Sequence, residues 1–149
     1  RPVKEAYEQL LGDRLEAHAD ENGTFFIVPN NAYYTDMHLA DDNDFTMLIA
    51  TGTNPANGNS MELQLQRRDG VTRLVTKGTV DDIDFDSGIA DVRRVEIFFD
   101  RNVVEVFLNN GEAAGSMLFQ GADGDGEFRF VADGKVDCVD VHVLDGIWR

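Results

Sequence analysis

A chain of 149 residues has the usual size of one domain, and 42% hydrophobic with 28% charged residues reads as soluble and globular. Asp and Glu number 28 against 13 Lys and Arg, a net charge of −15, which argues against binding to nucleic acid or to an anionic membrane surface. No apolar run approaches the ~20 residues needed to cross a bilayer, and the single Cys138 can form neither an internal disulfide nor a zinc motif.

The chain opens at Arg1 without Met, as expected of a fragment or a processed form, and its first residues contain no apolar signal-peptide region. With one cysteine, this favours a cytoplasmic location. Over residues 3–11, Val3, Tyr7, Leu10 and Leu11 recur at spacings of three and four, which predicts a short helix ended by Gly12. From there the period changes to two. Residues 24–28, TFFIV, predict a strand that Pro29 breaks. Tyr33, Thr35, Met37 and Leu39 then alternate with Tyr34, Asp36 and His38, and residues 45–52 predict another strand. TNPANGNS is a loop. Met61, Leu63 and Leu65 form one face of the next strand, and Asp69-Gly70 predicts a hairpin to residues 71–78.

Residues 95–119 predict a three-stranded meander. Val95, Ile97 and Phe99 face one way, the chain turns at Asp100-Arg101-Asn102, and Val104, Val106 and Leu108 continue the apolar face. Asn110-Gly111 fits a type I′ turn, since both residues tolerate positive φ. Pairing across it sets Leu108 opposite Ala113, Val106 opposite Gly115 and Val104 opposite Met117. EFRFVA and KVDCVDVHVL follow, joined by a hairpin at Asp133-Gly134. Ten to twelve short strands with tight turns predict an all-β, two-layer antiparallel sandwich, because turns this short cannot make parallel crossovers.

Chemistry-bearing constellations are few. Asp82, Asp84 and Asp86 alternate in DDIDFDSG, but Ser87 and Arg93 stand where a calcium-binding EF-hand needs Gly and Glu. Asp123, Asp125 and Glu127 likewise lack the Gly, with Phe128 in its place, and read as an acidic loop. His18, His38 and His142 are far apart, and no HExxH pair or Cys/His cluster supports a metal. Glu105 sits between Val103 and Phe107 on the face away from the core. A carboxylate beside an aromatic is a sugar-binding arrangement, or else a strand carboxylate paired with a nearby Arg.

VEIFFDRNVVEVFLNNGEA resembles the signature of the C-terminal β-sandwich of glycoside hydrolase family 32, which reads approximately lrIfvDrSsvEvFvNdGe. The match runs through Ile97, Phe98, Asp100, Arg101, Val104, Glu105, Val106, Phe107, Asn109, Gly111 and Glu112. VDVHVLDGIWR resembles the family's closing strand and RPVKEAYEQLLGDRL its interdomain linker, so that residues 1–12 read as linker and 13–149 as a concanavalin- or lectin-like jelly roll. Asn102-Val103 departs from the family's usual Ser-Ser.

The resemblance implies that catalysis belongs to an N-terminal five-bladed propeller with motifs similar to WMNDPNG, RDP and EC. None occurs here: DDNDF lacks the Pro, Gly70 follows RRD, and Cys138 follows Asp137. No catalytic residue, metal ligand or cofactor is therefore carried over. The chain is expected to be inactive alone and to serve a β-fructofuranosidase by stabilising its propeller, with homo-oligomer contacts a further role. Asp100-Arg101 is expected to form a structural bend. The alternative is a levan- or inulin-binding module, with Arg101, Glu105 and an exposed Phe107 as contacts. An unrelated lectin-like sandwich is a third reading.

Overall fold

A computed structural model describes residues 11–54, 56–78, 91–132 and 136–144. Twelve strands run through them in chain order: β1 (Leu11–Arg14), β2 (His18–Asp20), β3 (Gly23–Val28), β4 (Ala32–Leu39), β5 (Phe45–Thr53), β6 (Ser60–Arg68), β7 (Val71–Lys77), β8 (Arg94–Asp100), β9 (Val103–Leu108), β10 (Ala113–Leu118), β11 (Gly126–Ala132) and β12 (Val136–Leu144). They form two six-stranded sheets of order β1-β12-β4-β8-β9-β10 and β2-β3-β11-β5-β6-β7, every strand pair antiparallel.

The period-two pattern explains the layering, because alternate side chains leave opposite faces of a strand. Met37, Val95, Ile97, Phe99, Val104, Val106 and Leu108 of the first sheet meet Phe26, Met47, Ile49, Leu63, Leu65 and Phe128 of the second, all at most 2% exposed. Tyr33 crosses the interior. Its ring lies 5.4 Å from Phe128, and its buried hydroxyl donates to Ile49 O at 2.9 Å, which satisfies the one polar atom it carries inward. The expected register of the β9–β10 hairpin is present, with Leu108 opposite Ala113, Val106 opposite Gly115 and Val104 opposite Met117.

Several expectations change. Leu11 and Gly12 belong to strand β1, paired with β12, rather than to the end of a helix. The helix itself (residues 3–10), Asp82, Asp84, Asp86, the Asp133-Gly134 turn and the terminal Ile147-Trp148 lie outside the described residues. The β9–β10 connection is a four-residue turn, not a two-residue type I′ turn: Asn109, Asn110 and Gly111 take φ of 49°, 62° and 91°, and Glu112 is right-handed helical. Its cause is Asn109, whose Oδ1 accepts from the N–H groups of Arg93 (2.8 Å) and Arg94 (3.1 Å), and whose amide donates to Asp91 O (2.6 Å). This pulls Asn109 out of the ladder and widens the turn.

Arg67 continues the Leu63–Leu65 face of β6 inward and is 1% exposed. It is neutralised by Asp42 of the β4–β5 loop, at 2.8 and 2.9 Å, and donates to Thr72 at 2.9 Å. A charge at this depth persists only when paired and hydrogen-bonded.

Candidate functional site

The bend that the sequence singles out joins β8 to β9. Arg101 takes φ 59°, and the N–H of Asn102 donates to Asp100 O, two residues back, at 2.6 Å. Three more backbone bonds tie the bend to its surroundings: Arg101 N–H to Asn31 O (3.2 Å), Gly121 N–H to Arg101 O (3.0 Å) and Phe119 N–H to Asn102 O (2.9 Å). The buried amide of Asn31 donates to Ala122 O at 3.2 Å and is wedged between two glycines. A Cβ at Gly121 would lie 2.5 Å from Asn31 Nδ2, and one at Gly126 would lie 2.2 Å from Asn31 Oδ1. The bend and the loop of residues 120–124 enclose an open cleft of about 590 Å³, with Asn30, Arg101, Asn102, Gln120 and Asp123 on its walls. Asp100 is 2% exposed and Arg101 is exposed, so the pair divides its work: one side chain turned in, the other at the rim.

Glu105 and Phe107 lie on the outer face of the same sheet, two positions apart on β9. Phe98 sits opposite Glu105 on β8. Phe107, expected to be exposed, is 7% exposed: it packs edge-on against Phe98 (5.9 Å, 85°) in a second apolar cluster with Ala32, Tyr34 and Leu144. Buried aromatic faces cannot stack on a sugar, so Glu105 and Phe107 do not form an open binding platform. Burial of Glu105 raises its pKa. Arg101 lies in the turn between β8 and β9, not on this face.

Beside the aromatic cluster is a polar one that sequence reasoning missed. Glu96 is fully buried and accepts from Tyr34 Oη at 2.7 Å, with Arg94 at 3.6 Å. Arg94 makes a two-pronged pair with Asp36, 2.9 Å on both bonds, and also bonds Asn110. His38 completes the chain at 3.3 Å from Asp36. Burial raises the Asp36 carboxyl, but the Arg94 hydrogen bonds and charge, together with His38, outweigh it and hold the pKa below the ordinary value. Burial and the bond to Glu96 push the Tyr34 phenol far up. Two opposed carboxylates on neighbouring strands, Asp36 and Glu96, resemble an acid/base pair. With a guanidinium between them and Glu96 sealed from solvent, they fasten two strands together instead. The only sequence signal was the alternation of Tyr34, Asp36 and His38 against Arg94, Glu96 and Phe98.

The remaining candidates are dispersed. His18 stacks on Phe25 at 5.3 Å on the other sheet, and His142 Nδ1 lies 3.2 Å from Gly12 O. Asp125 accepts from Asn30 N–H and Glu127 pairs with Arg129 at 3.2 Å. Among the described residues no group of three His, Cys, Asp or Glu side chains could hold a metal.

Comparison with known proteins agrees with this geometry. The model for the C-terminal region of glycosyl hydrolases family 32 matches residues 56–145. A solved glycoside hydrolase family 32 structure from Bifidobacterium adolescentis is 62% identical over all of this chain and 24% of its own, with a TM-score of 0.93. Two others share the fold at 16% identity over 94% of this chain. They are a sucrose-6-phosphate hydrolase from Lactobacillus gasseri (30% of its chain, TM-score 0.58) and a Bombyx mori family 32 β-fructofuranosidase (28%, 0.57). The chain thus spans about a quarter of the length of the first of these. No curated protein sequence matches it. A match over more than half the chain, joined to 62% identity throughout, places this sandwich in glycoside hydrolase family 32 as its C-terminal domain.

Proposed function

We propose that this domain serves a β-fructofuranosidase as a non-catalytic module, seated on an N-terminal five-bladed propeller that hydrolyses sucrose, sucrose 6-phosphate, inulin or levan in the cytoplasm. The observation that carries this reading is a division of material. The whole chain aligns at 62% identity with a family 32 enzyme, yet with only 24% of that enzyme's length, and it holds none of the motifs that resemble the family's catalytic carboxylates. Four of its carboxylates are committed to structural pairs: Glu96 to Tyr34, Asp36 to Arg94, Asp42 to Arg67 and Glu127 to Arg129. The role left for the domain is mechanical. A rigid sandwich covering part of the propeller would raise the free energy needed to open it, since anything that binds only the folded state stabilises that state.

The test is a pair of polypeptides, the catalytic portion alone and the same portion followed by residues 1–149. The longer one is expected to melt higher and to retain sucrose hydrolysis longer at elevated temperature. Equal melting and equal half-lives would remove the stabilising role.

A further inference from the structure

An asparagine side-chain amide is open to attack by the next backbone nitrogen when that residue is glycine, which carries no Cβ and lets the peptide swing. The chain has three Asn-Gly pairs, Asn22-Gly23, Asn57-Gly58 and Asn110-Gly111. The fold treats them differently. Gly23 pairs with Asp20 at the β2–β3 hairpin, and a Cβ there would lie 2.6 Å from Phe130 O, so its peptide is packed in place. In the β9–β10 turn, Asn110 Oδ1 is held by the Arg94 guanidinium. Asn57 and Gly58 are exposed in the β5–β6 loop. Among the described residues, nothing lies within 4 Å of a Cβ built on Gly58.

The β5–β6 loop also favours the reaction electronically. Asn57 Oδ1 accepts from Asn59 N–H at 2.9 Å, which draws charge towards the oxygen and leaves Cγ more electrophilic. Gly58 N–H donates to Asn54 O at 2.8 Å, a loop bond at the surface that opens without disturbing the sheets. We propose that Asn57 is the position at which this domain spontaneously deamidates. Gly58 N attacks Asn57 Cγ and a new C–N bond closes a succinimide ring. The Cγ–Nδ2 bond breaks, and Nδ2 takes up the Gly58 amide proton through solvent and leaves as ammonia. Water then opens the ring at either carbonyl, giving aspartate or isoaspartate at position 57. Nothing is oxidised or reduced, and water is the sole co-reactant. Either product adds a negative charge to a chain that carries −15. Isoaspartate also lengthens the backbone and breaks the Asn57–Asn59 bond that shapes the loop. The nearest ladder pair, Thr53 with Ser60, lies outside this bond, so the sheet is retained.

Peptide mapping by mass spectrometry, on the 149-residue chain held in warm, mildly alkaline buffer, tests this. Position 57 is expected to convert about tenfold faster than positions 22 and 110, to a mixture of aspartate and isoaspartate. Its rate is expected to rise with pH, because the nitrogen attacks as its conjugate base. Asn57→Gln, which must close a larger ring, is expected to stay unmodified with an unchanged melting temperature. In concentrated urea the fold no longer separates the three pairs, and their rates are expected to converge. The proposal is overturned if Asn57 converts no faster than Asn22 or Asn110 in the folded chain. It is equally overturned if the same ranking persists in urea, since sequence rather than structure would then set it.

Discussion

Replacing Tyr34 by Phe removes one hydroxyl from the outer face of the first sheet and leaves the aromatic cluster in place. That hydroxyl donates at 2.7 Å to Glu96, a carboxylate with no solvent exposure. A hydrogen bond to a charged group contributes about 1.5–3 kcal/mol, and a buried acceptor deprived of it cannot turn to water. Arg94 at 3.6 Å is already engaged by Asp36 and offsets little of the loss. Tyr34→Phe is therefore expected to destabilise the domain by about 2 kcal/mol, lowering the melting temperature by about 4–8 °C for a domain of this size. Thermal unfolding followed by circular dichroism at pH 7 measures it. A double-mutant cycle with Glu96→Met sharpens the reasoning. Once the carboxylate is gone, the hydroxyl has no charged acceptor, and Tyr34→Phe should cost less than about 0.5 kcal/mol in that background. A loss below about 0.5 kcal/mol in the wild-type background, or equal losses in both backgrounds, would refute the view that Glu96 depends on Tyr34.

Other outcomes follow from the same contacts. Gly121→Ala places a Cβ 2.5 Å from Asn31 Nδ2 and 3.1 Å from Arg101 O, and overpacking of this kind costs about 1–3 kcal/mol, measurable by urea unfolding. Asp42→Ala leaves the Arg67 guanidinium, 1% exposed, without its carboxylate, and should cost about 3 kcal/mol in the same assay. Glu105, whose folded pKa is raised by burial, weakens the fold once both states ionise. Glu105→Gln is therefore expected to raise the melting temperature at pH 7, with the gain vanishing as pH falls below the unfolded glutamate value of about 4.3. Asp36 has the opposite sign: its folded pKa is depressed, so its contribution is present at neutral pH and is lost as pH falls through the folded value. Asp36→Asn should flatten the acid limb of the stability curve.

The meander of β8, β9 and β10 was legible residue by residue, because a period of two assigns each side chain to a face and the turn sets the register. The pairing of Val106 with Gly115 follows from spacing alone. What escaped the pattern depends on partners distant in sequence. Phe98 and Phe107 occupy positions that alternation assigns to solvent, yet they are buried with Tyr34, more than sixty residues away along the chain. The burial of Arg67 cannot be read from β6 alone, because its neutralising Asp42 lies in another loop. The β9–β10 turn widened because the Asn109 side chain was recruited by Arg93 and Arg94, a competition that dipeptide preference does not encode. The resemblance to the family ran from Ile97 to Glu112 and included Asp100, Arg101 and Glu105. Only coordinates could separate an inward Asp100 and a rim Arg101 from the covered Phe107.

The central claim is that the domain contributes no catalytic group of its own. Its most direct test is fructose release from sucrose and from inulin by the purified 149-residue chain, at a concentration where its folded state is verified by circular dichroism. The account predicts a rate indistinguishable from buffer. Measurable release that disappears when one of its own carboxylates, such as Glu105 or Asp123, is replaced by the amide would contradict it.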